Sequence, residues 1–231
     1  IPGVVGGDGM SLDFFMGKRV GEAAVDEGWS LHINASNNIA FEVSDGTDQV
    51  SSTVFAAAAT TWYALTGFVK ANAAADDDVG LYRDLTSVGT TNSLILGTCA
   101  NTRAVRVGAD SAATAGRFLD GDVAYSRVWV KSLATWTQAE IDQVVQAQNR
   151  LYLPAGWGPA TMQLQWILWD AGSPATTRDW SGNGFTGTYT GTTAATDPAR
   201  VVGPGGAPVW KIGRVSAVTA VPLRTLVGVG L

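Results

Sequence analysis

Few residues of this sequence are of types that commonly carry out chemistry. The 231-residue chain contains one histidine, His32, and one cysteine, Cys99. A serine–histidine–acid triad or a histidine metal site would therefore depend on His32 alone. His32 alternates with the apolar residues Trp29, Leu31 and Ile33, which predicts that it lies on the opposite, less buried face of a strand. Cys99 has no histidine near it in the sequence, and we interpret it as a small buried apolar residue.

The acidic residues do not form an evident catalytic pair either. Hydrolysis of a glycosidic bond needs two carboxylates that flank the bond. The chain has four glutamates, of which Glu140 fits a helix cap better than a catalytic acid. Asp120 and Asp122 are the closest acidic pair before a predicted strand, but their Asp-Gly-Asp sequence favours a turn. The sequence also contains no glycine-rich phosphate-binding motif.

A run of three acidic residues is the candidate metal site. Asp76, Asp77 and Asp78 carry carboxylate oxygens, which calcium prefers as ligands. The alternative is that this acidic loop is solvated and binds no metal, which is the more common situation. No other cofactor is expected from the sequence.

A glycine-rich turn combines an aromatic ring with polar side chains. In the sequence Asp-Trp-Ser-Gly-Asn-Gly at residues 179–184, Asp179 and Asn183 are able to bind sugar hydroxyl groups while the ring of Trp180 stacks on the sugar. The alternative is that Asp179 and Asn183 only shape the turn and that Trp180 packs on the fold. We prefer this alternative and keep sugar binding open.

Composition limits the class of protein. Charged residues are sparse at 15%, 28 residues are glycine and 46% are hydrophobic, which suits one large core made of many short strands. The net charge of −5 and the pI near 4.7 argue against nucleic acid as a partner, because phosphates need a basic surface. We also expect no signal peptide and no membrane span, because the sequence shows neither pattern.

Strands and one helix must position these candidate residues. Residues 122–130 alternate as a strand does, with β-branched and aromatic side chains. Thr137 and Glu140 then fit a capping box, and apolar residues at helical spacing predict a short helix over residues 137–148. Residues 198–208 are interpreted as a turn-rich link. Further strands are predicted at residues 11–16, 29–34, 39–43, 61–70, 79–84, 93–96, 105–107, 162–169, 185–189 and 209–212.

Three local patterns are shared with a known family of β proteins. The first is the strand and helix between Gly121 and Ile141, and the second is the strand pair at residues 29–43, followed by Trp62-Tyr63. The third is Trp169-Asp170 followed by the SGNG turn at residues 179–184. Together they resemble the concanavalin A-like jelly roll, in its laminin G-like branch.

The resemblance implies an all-β fold, a two-sheet antiparallel jelly-roll sandwich with one short helix. In that family the SGNG hairpin usually opens the domain, whereas here it follows the helix. We therefore predict a permuted strand order, in which this hairpin completes a single sandwich at residues 10–212 and leaves no open sheet edge. The alternative is that the hairpin starts a second, truncated unit. An N-terminal arm at residues 1–9 and an apolar tail at residues 213–231 flank the sandwich.

Three functions follow, in order of preference. The first is a non-enzymatic structural and interaction protein, a decoration or fibre-like subunit on the surface of a virion or other particle. The sequence Asp-Pro-Ala at residues 197–199, followed by Gly-Ala-Pro-Val-Trp at residues 206–210, resembles laminin G-like proteins of tailed phages. The arm and tail suit docking on neighbouring subunits of a homo-oligomer. The second is a carbohydrate-binding lectin module whose partners are surface glycans. The third is a glycoside hydrolase, although the Glu-x-Asp-x-x-Glu strand of some enzymes with this fold is missing, so we expect no enzyme.

The permuted strand order makes a direct structural prediction. If the C-terminal part completes the sandwich, residues 162–169 pair with residues 122–130 and share their core. Strand pairing in the three-dimensional structure is the measurement that checks this, and a separate second unit would contradict it.

Overall fold

β-strands make up most of the regular structure of this chain. Its computed structural model describes residues 13–20, 25–58, 61–71, 76–92, 96–97, 99, 101–112, 119, 123, 125–131, 135–148, 150, 152–167, 176–189, 199–202, 208–211 and 218–220. The elements within them are β1 (Asp13–Gly17), β2 (Gly28–Ile33), β3 (Asn38–Ser44), β4 (Gln49–Ser51), β5 (Phe55–Ala56), β6 (Leu65–Lys70), β7 (Asp78–Arg83), β8 (Thr86–Asn92), β9 (Arg106–Val107), β10 (Tyr125–Val130), α1 (Gln138–Gln146), β11 (Thr161–Ile167), β12 (Thr176–Thr177), β13 (Gly187–Tyr189), β14 (Ala199–Val202), β15 (Pro208–Lys211) and β16 (Val218–Ala220). The all-β prediction with a single short helix is confirmed for these residues.

The strands form four antiparallel sheets. The largest has nine strands in the order β12-β13-β16-β9-β1-β2-β3-β4, with β5 paired to the other end of β3. A second sheet has the order β6-β7-β8, and β10 pairs with β11 and β14 with β15. The hairpin β12–β13 thus belongs to the same sheet as β1, the first described strand, to which it is linked through β16 and β9.

The predicted pairing of residues 162–169 with residues 122–130 is confirmed for the described parts of both ranges. β10 and β11 are antiparallel from Tyr125, opposite Ile167, to Val130, opposite Thr161, with one irregularity after Val128. From these two strands Val130, Leu164 and Trp166 enter the main hydrophobic core, which also contains residues of β1, β2 and β3. This part of the chain therefore shares a core with the first strands.

The main core lies between the nine-stranded sheet and the β6–β7–β8 sheet. Phe41 and Val43 of β3 belong to the same buried cluster as Val79 and Leu81 of β7. The two sheets approach closely at Gly67, where an added Cβ would lie 2.3 Å from the ring of Phe41. Glycine is required at this position because any side chain there would overlap the ring.

Helix α1 covers the other face of the β6–β7 pair. Its buried residues Ile141, Val144 and Val145 pack against Phe68 and Tyr82 of these strands. The predicted capping box is present. The hydroxyl oxygen of Thr137 accepts a hydrogen bond from the amide of Glu140, and a carboxylate oxygen of Glu140 accepts one from the amide of Thr137. None of the helices in the described part of the chain is long and apolar enough to cross a membrane.

The prediction for His32 is wrong. Its side chain is completely buried, and its ring stacks on Phe14 at a centroid distance of 5.4 Å. Alternation along β2 does separate an apolar face from a polar face, but both faces are covered. The polar face holds His32 and Ser30 beside the charged residues Arg19 and Glu42, so the polarity reflects a buried network and not contact with water.

The C-terminal part contains strands that the sequence did not predict. β14 lies within the predicted link at residues 198–208 and pairs with β15. β16 lies within the predicted apolar tail and pairs with β13 on one side and β9 on the other. In the second sheet, β8 was also not predicted, because its sequence TSVGTTN lacks alternating apolar residues.

Some sequence predictions concern residues that the structure does not describe. The N-terminal arm at residues 1–9, the acidic pair Asp120 and Asp122, and residues 93–95 of the predicted strand 93–96 lie outside the described residues. Most of the predicted tail at residues 213–231 lies outside them as well.

Glu140 gives the helix a predictable dependence on pH. The hydrogen bond from Lys131 and those from Thr137 lower the pKa of Glu140 to about 2 from its usual 4.5. A carboxylate with a lowered pKa stabilises the fold above its unfolded pKa and loses this contribution as the pH falls through its folded pKa. Glu140→Gln should therefore unfold at lower urea concentration than the wild type at pH 6. Glutamine retains a capping oxygen but has no charge to lose. The difference in stability between the two proteins should therefore shrink between about pH 4.5 and pH 2, as Glu140 of the wild type is protonated. A constant difference over that range would contradict this role.

Candidate functional site

The SGNG loop, defined as residues 179–185, is the part of the structure that contains the predicted ligand-binding residues. It runs beside β11, where the amide of Trp180 donates a hydrogen bond to the carbonyl of Gln165 at 2.8 Å. Asp179 forms an antiparallel bridge with Trp166. Further along, the indole nitrogen of Trp166 donates to the carbonyl of Phe185 at 2.7 Å. The loop is therefore attached along β11 and does not project freely from it.

The carboxylate of Asp179 organises the loop from inside. Its Oδ1 accepts hydrogen bonds from the amides of Gln165 (3.0 Å) and Ser181 (2.9 Å), and its Oδ2 accepts from the Ser181 hydroxyl (2.8 Å) and the Phe185 amide (3.0 Å). The side chain is buried. Both oxygens are thus engaged by the protein, so Asp179 shapes the loop and presents no oxygen to a ligand from solution.

The two glycines of the SGNG loop follow from its backbone geometry. Gly182 has a φ of +94° and Gly184 a φ of +78°, in the left-handed region that other residues rarely adopt. The exposed residue between them, Asn183, donates from its side-chain nitrogen to the carbonyls of Met162 (2.8 Å) and Gln163 (3.1 Å). Its side-chain oxygen accepts no hydrogen bond from the described residues, so this oxygen is the polar group that the loop can offer to a ligand.

Trp180 belongs to a surface cluster of aromatic and basic side chains. The guanidinium of Arg178 lies 4.6 Å from the centre of its ring, and the ring of Tyr152 meets it edge to face at 5.7 Å. We call Tyr152, Arg178 and Trp180 the aromatic patch. Because Arg178 covers one face of the indole, Tyr152, which is 49% exposed, is the more accessible ring for stacking.

The sequence did not single out Tyr152 and Arg178. Arg178 stands two residues before Trp180, a spacing that places side chains on one side of an extended chain. That signal was available. Tyr152 comes from the connector after the helix, and only the tertiary fold brings its ring to Trp180.

The acidic run has protein partners in the structure. Asp77 is buried, and its Oδ2 accepts a hydrogen bond from the amide of Leu96 at 2.9 Å. Asp78 begins β7 and forms an ion pair with Lys70 at 3.1 Å. Among the described residues, no group of three or more His, Cys, Asp or Glu side chains is arranged to hold a metal ion. Asp77 is therefore not solvated, and a calcium site at Asp76, Asp77 and Asp78 stays a prediction.

A buried polar network on β2 and β3 is the arrangement that sequence analysis missed. The Ser30 hydroxyl lies 3.1 Å from Nδ1 of His32, and Nε2 of that ring lies 3.9 Å from Glu42 Oε2. Glu42 also forms an ion pair with Arg19 at 3.2 Å, and Arg19 donates to Gln49 at 2.9 Å. Serine, histidine and glutamate are the residue types of a hydrolytic triad. Here the serine and the histidine are completely buried, and the glutamate lies beyond hydrogen-bond distance of the ring, so substrate has no access to the hydroxyl.

Cys99 is also unsuited to nucleophilic chemistry. Burial raises the pKa of its thiol to about 12, so the sulfur stays protonated at neutral pH, whereas the thiolate is the reactive form. The side chain lies in the main hydrophobic core, as the sequence predicted.

Comparison of the chain with protein-family models, curated proteins and solved structures returned no match.

The hydrogen bonds of Asp179 predict the effect of removing its charge. In Asp179→Asn one carboxylate oxygen becomes an NH₂ group, which cannot accept the hydrogen bonds of the surrounding donors. We expect the free energy of unfolding to fall by about 1–3 kcal/mol, the cost of leaving buried donors without acceptors. Urea unfolding measures this change. The matched control is Thr186→Ala, an exposed position beyond the loop, for which we expect a change of less than about 0.5 kcal/mol. Equal stabilities of Asp179→Asn and the wild type would contradict the role of Asp179.

Proposed function

We propose that this chain is a non-enzymatic structural and interaction protein, a subunit with a jelly-roll sandwich on the surface of a virion or other particle. The observation that carries the proposal is that side chains able to do chemistry are built into the fold. His32 and Glu42 lie in a buried network, Cys99 has a raised pKa, Glu140 caps the helix and Asp179 holds the SGNG loop. Because these side chains have structural roles, we favour a protein that acts through its surface.

The sheet arrangement supports the finer assignment to a jelly roll with permuted strand order. The hairpin β12–β13 and the strand β1 come from distant parts of the chain and belong to one antiparallel sheet. The β6–β7–β8 sheet packs on the same core from the other side. In this proposal the concanavalin A-like resemblance describes the architecture, and the resemblance to laminin G-like phage proteins supplies the location on a particle.

Self-association tests the proposed function. A structural subunit is expected to form an oligomer without any added ligand. We expect the native mass of the whole chain, measured by light scattering and by sedimentation at micromolar concentration, to be a multiple of 24.0 kDa. A monomer at every concentration up to the solubility limit would contradict the proposal.

A second candidate function is glycan binding at the aromatic patch. The specific observation is the accessible ring of Tyr152 beside Trp180, with the free side-chain oxygen of Asn183 on the SGNG loop. An aromatic ring that stacks on a sugar, together with polar groups for its hydroxyls, is the usual chemistry of sugar recognition. In this candidate, Asp179 has only a supporting role, because both of its oxygens are occupied.

Glycan binding predicts a loss of affinity on removing the accessible ring. On a glycan array, and by calorimetry with any sugar that the array identifies, Tyr152→Ala should weaken binding by about tenfold or more, which corresponds to about 1.4 kcal/mol. Trp180→Ala should have a similar effect because Trp180 supports the ring of Tyr152. The matched control is Val54→Ala, an exposed apolar position outside the patch. An array without binding, or unchanged affinity in Tyr152→Ala, would contradict this function.

A further inference from the structure

Among the described residues, β8 is an edge strand of the β6–β7–β8 sheet. Its inner neighbour is β7, with pairs from Arg83 opposite Thr86 to Asp78 opposite Asn92, and no described strand pairs with its other side. The strand is seven residues long, and Thr86, Ser87, Thr90 and Asn92 are exposed. An edge of this length presents unpaired amides and carbonyls that can pair with another strand.

The edge carries no charged side chain and no proline to oppose such pairing. Natural edge strands commonly carry a lysine, another charged side chain or a proline. β8 has the sequence TSVGTTN and contains none of them, whereas β6, at the opposite edge of the same sheet, ends in Lys70. One irregularity interrupts the pairing with β7 between Ser87 and Gly89. The second half of β8 keeps a continuous ladder with β7 and is the part suited to pairing.

β8 is also held in place by the rest of the fold. The side-chain nitrogen of Asn92 donates to Asp78 Oδ1 at 2.7 Å and to the carbonyl of Asp76 at 2.9 Å. At Gly89 an added Cβ would lie 2.5 Å from the hydroxyl oxygen of Thr53, so the strand lies directly against that residue. A preorganised edge loses little conformational entropy when a second strand adds to it.

The charge of the chain indicates which partner fits this edge. Two copies that each carry a net charge of −5 repel each other, so their contact is least costly where it opposes no further like charges. β8 contains no ionisable side chain, so its self-pairing opposes none. Instead it would place threonine, serine and asparagine side chains across from one another, and hydroxyl pairs of this kind stabilise antiparallel strands.

We propose that β8 is the self-association surface of this protein, and that it pairs antiparallel with β8 of a second copy about a two-fold axis. The two β6–β7–β8 sheets then form one continuous six-stranded sheet. This inference rests on the proposed function, since it identifies the surface through which a structural subunit contacts its neighbour.

Symmetry provides a sharp test at Thr90. We place the two-fold axis beside Thr90, in the half of β8 that keeps a continuous ladder with β7. Thr90 and its own copy then lie opposite each other on the same face of the sheet, so a charge introduced at Thr90 faces an equal charge. Thr90→Lys and Thr90→Glu, measured separately by sedimentation, should each raise the dissociation constant at least about tenfold. A one-to-one mixture of the two variants should restore association, because opposite charges then meet across the axis. Gln143→Lys, an exposed charge on the helix, is the matched control and should associate as the wild type does.

The outcomes separate this inference from the proposed function. An associated wild type, two weakened variants and a restored mixture support pairing through β8. Restoration in the mixture also shows that both variants are folded. If the wild type associates and either variant associates equally well, or if the mixture is not restored, the β8 inference is overturned while the proposed function stands. A wild type that stays monomeric overturns both.

Discussion

The side chain of Gln165 is the constraint on which the arrangement of the second half of the chain depends. It is completely buried in β11, and all of its hydrogen-bonding groups are satisfied. Its Oε1 accepts from Arg127 Nε and from the amide of Leu153, both at 3.0 Å, while its Nε2 donates to the carbonyls of Leu153 (2.8 Å) and Trp180 (3.4 Å). Its backbone amide donates to Asp179. One residue thus joins β10, the connector after the helix, and the SGNG loop.

Arg127 extends this network to the end of the helix. Its guanidinium donates to the carbonyls of Ala147 and Arg150 and stacks on the ring of Tyr125, whose hydroxyl donates to the carbonyl of Gln148. Burial lowers the pKa of Arg127 to about 10, which leaves it charged at neutral pH. A charged donor satisfies the carbonyls that every helix leaves open at its C-terminal end. The polar residues of this region therefore hold elements together, because their hydrogen bonds are made to groups of the protein itself. For this reason the proposed function depends on the outer surface.

The sequence predicted those features that are local in origin. β2 and β3 follow from alternation, α1 follows from the capping box of Thr137 and Glu140, and the turn at residues 179–184 follows from glycine and aspartate. Alternation alone did not reveal that His32 is buried, because a strand covered on both faces can carry a polar network on one of them. β8 was not predicted because its side chains are mostly polar and do not alternate, and it is a strand through its pairing with β7. The aromatic patch depends on contact between distant segments, which spacing does not encode.

Hydrogen exchange of three backbone amides tests most directly whether the SGNG loop, β11 and the connector after the helix are one cooperative unit. The amide of Leu153 donates to the side chain of Gln165, that of Gln165 to Asp179, and that of Trp180 to the carbonyl of Gln165. If Gln165 unites these segments, the three amides exchange in the native protein with the same free energy of opening, and Gln165→Ala lowers all three together. Fast exchange at Trp180 with full protection at Gln165, or a change confined to one amide in the variant, would contradict a unit centred on Gln165.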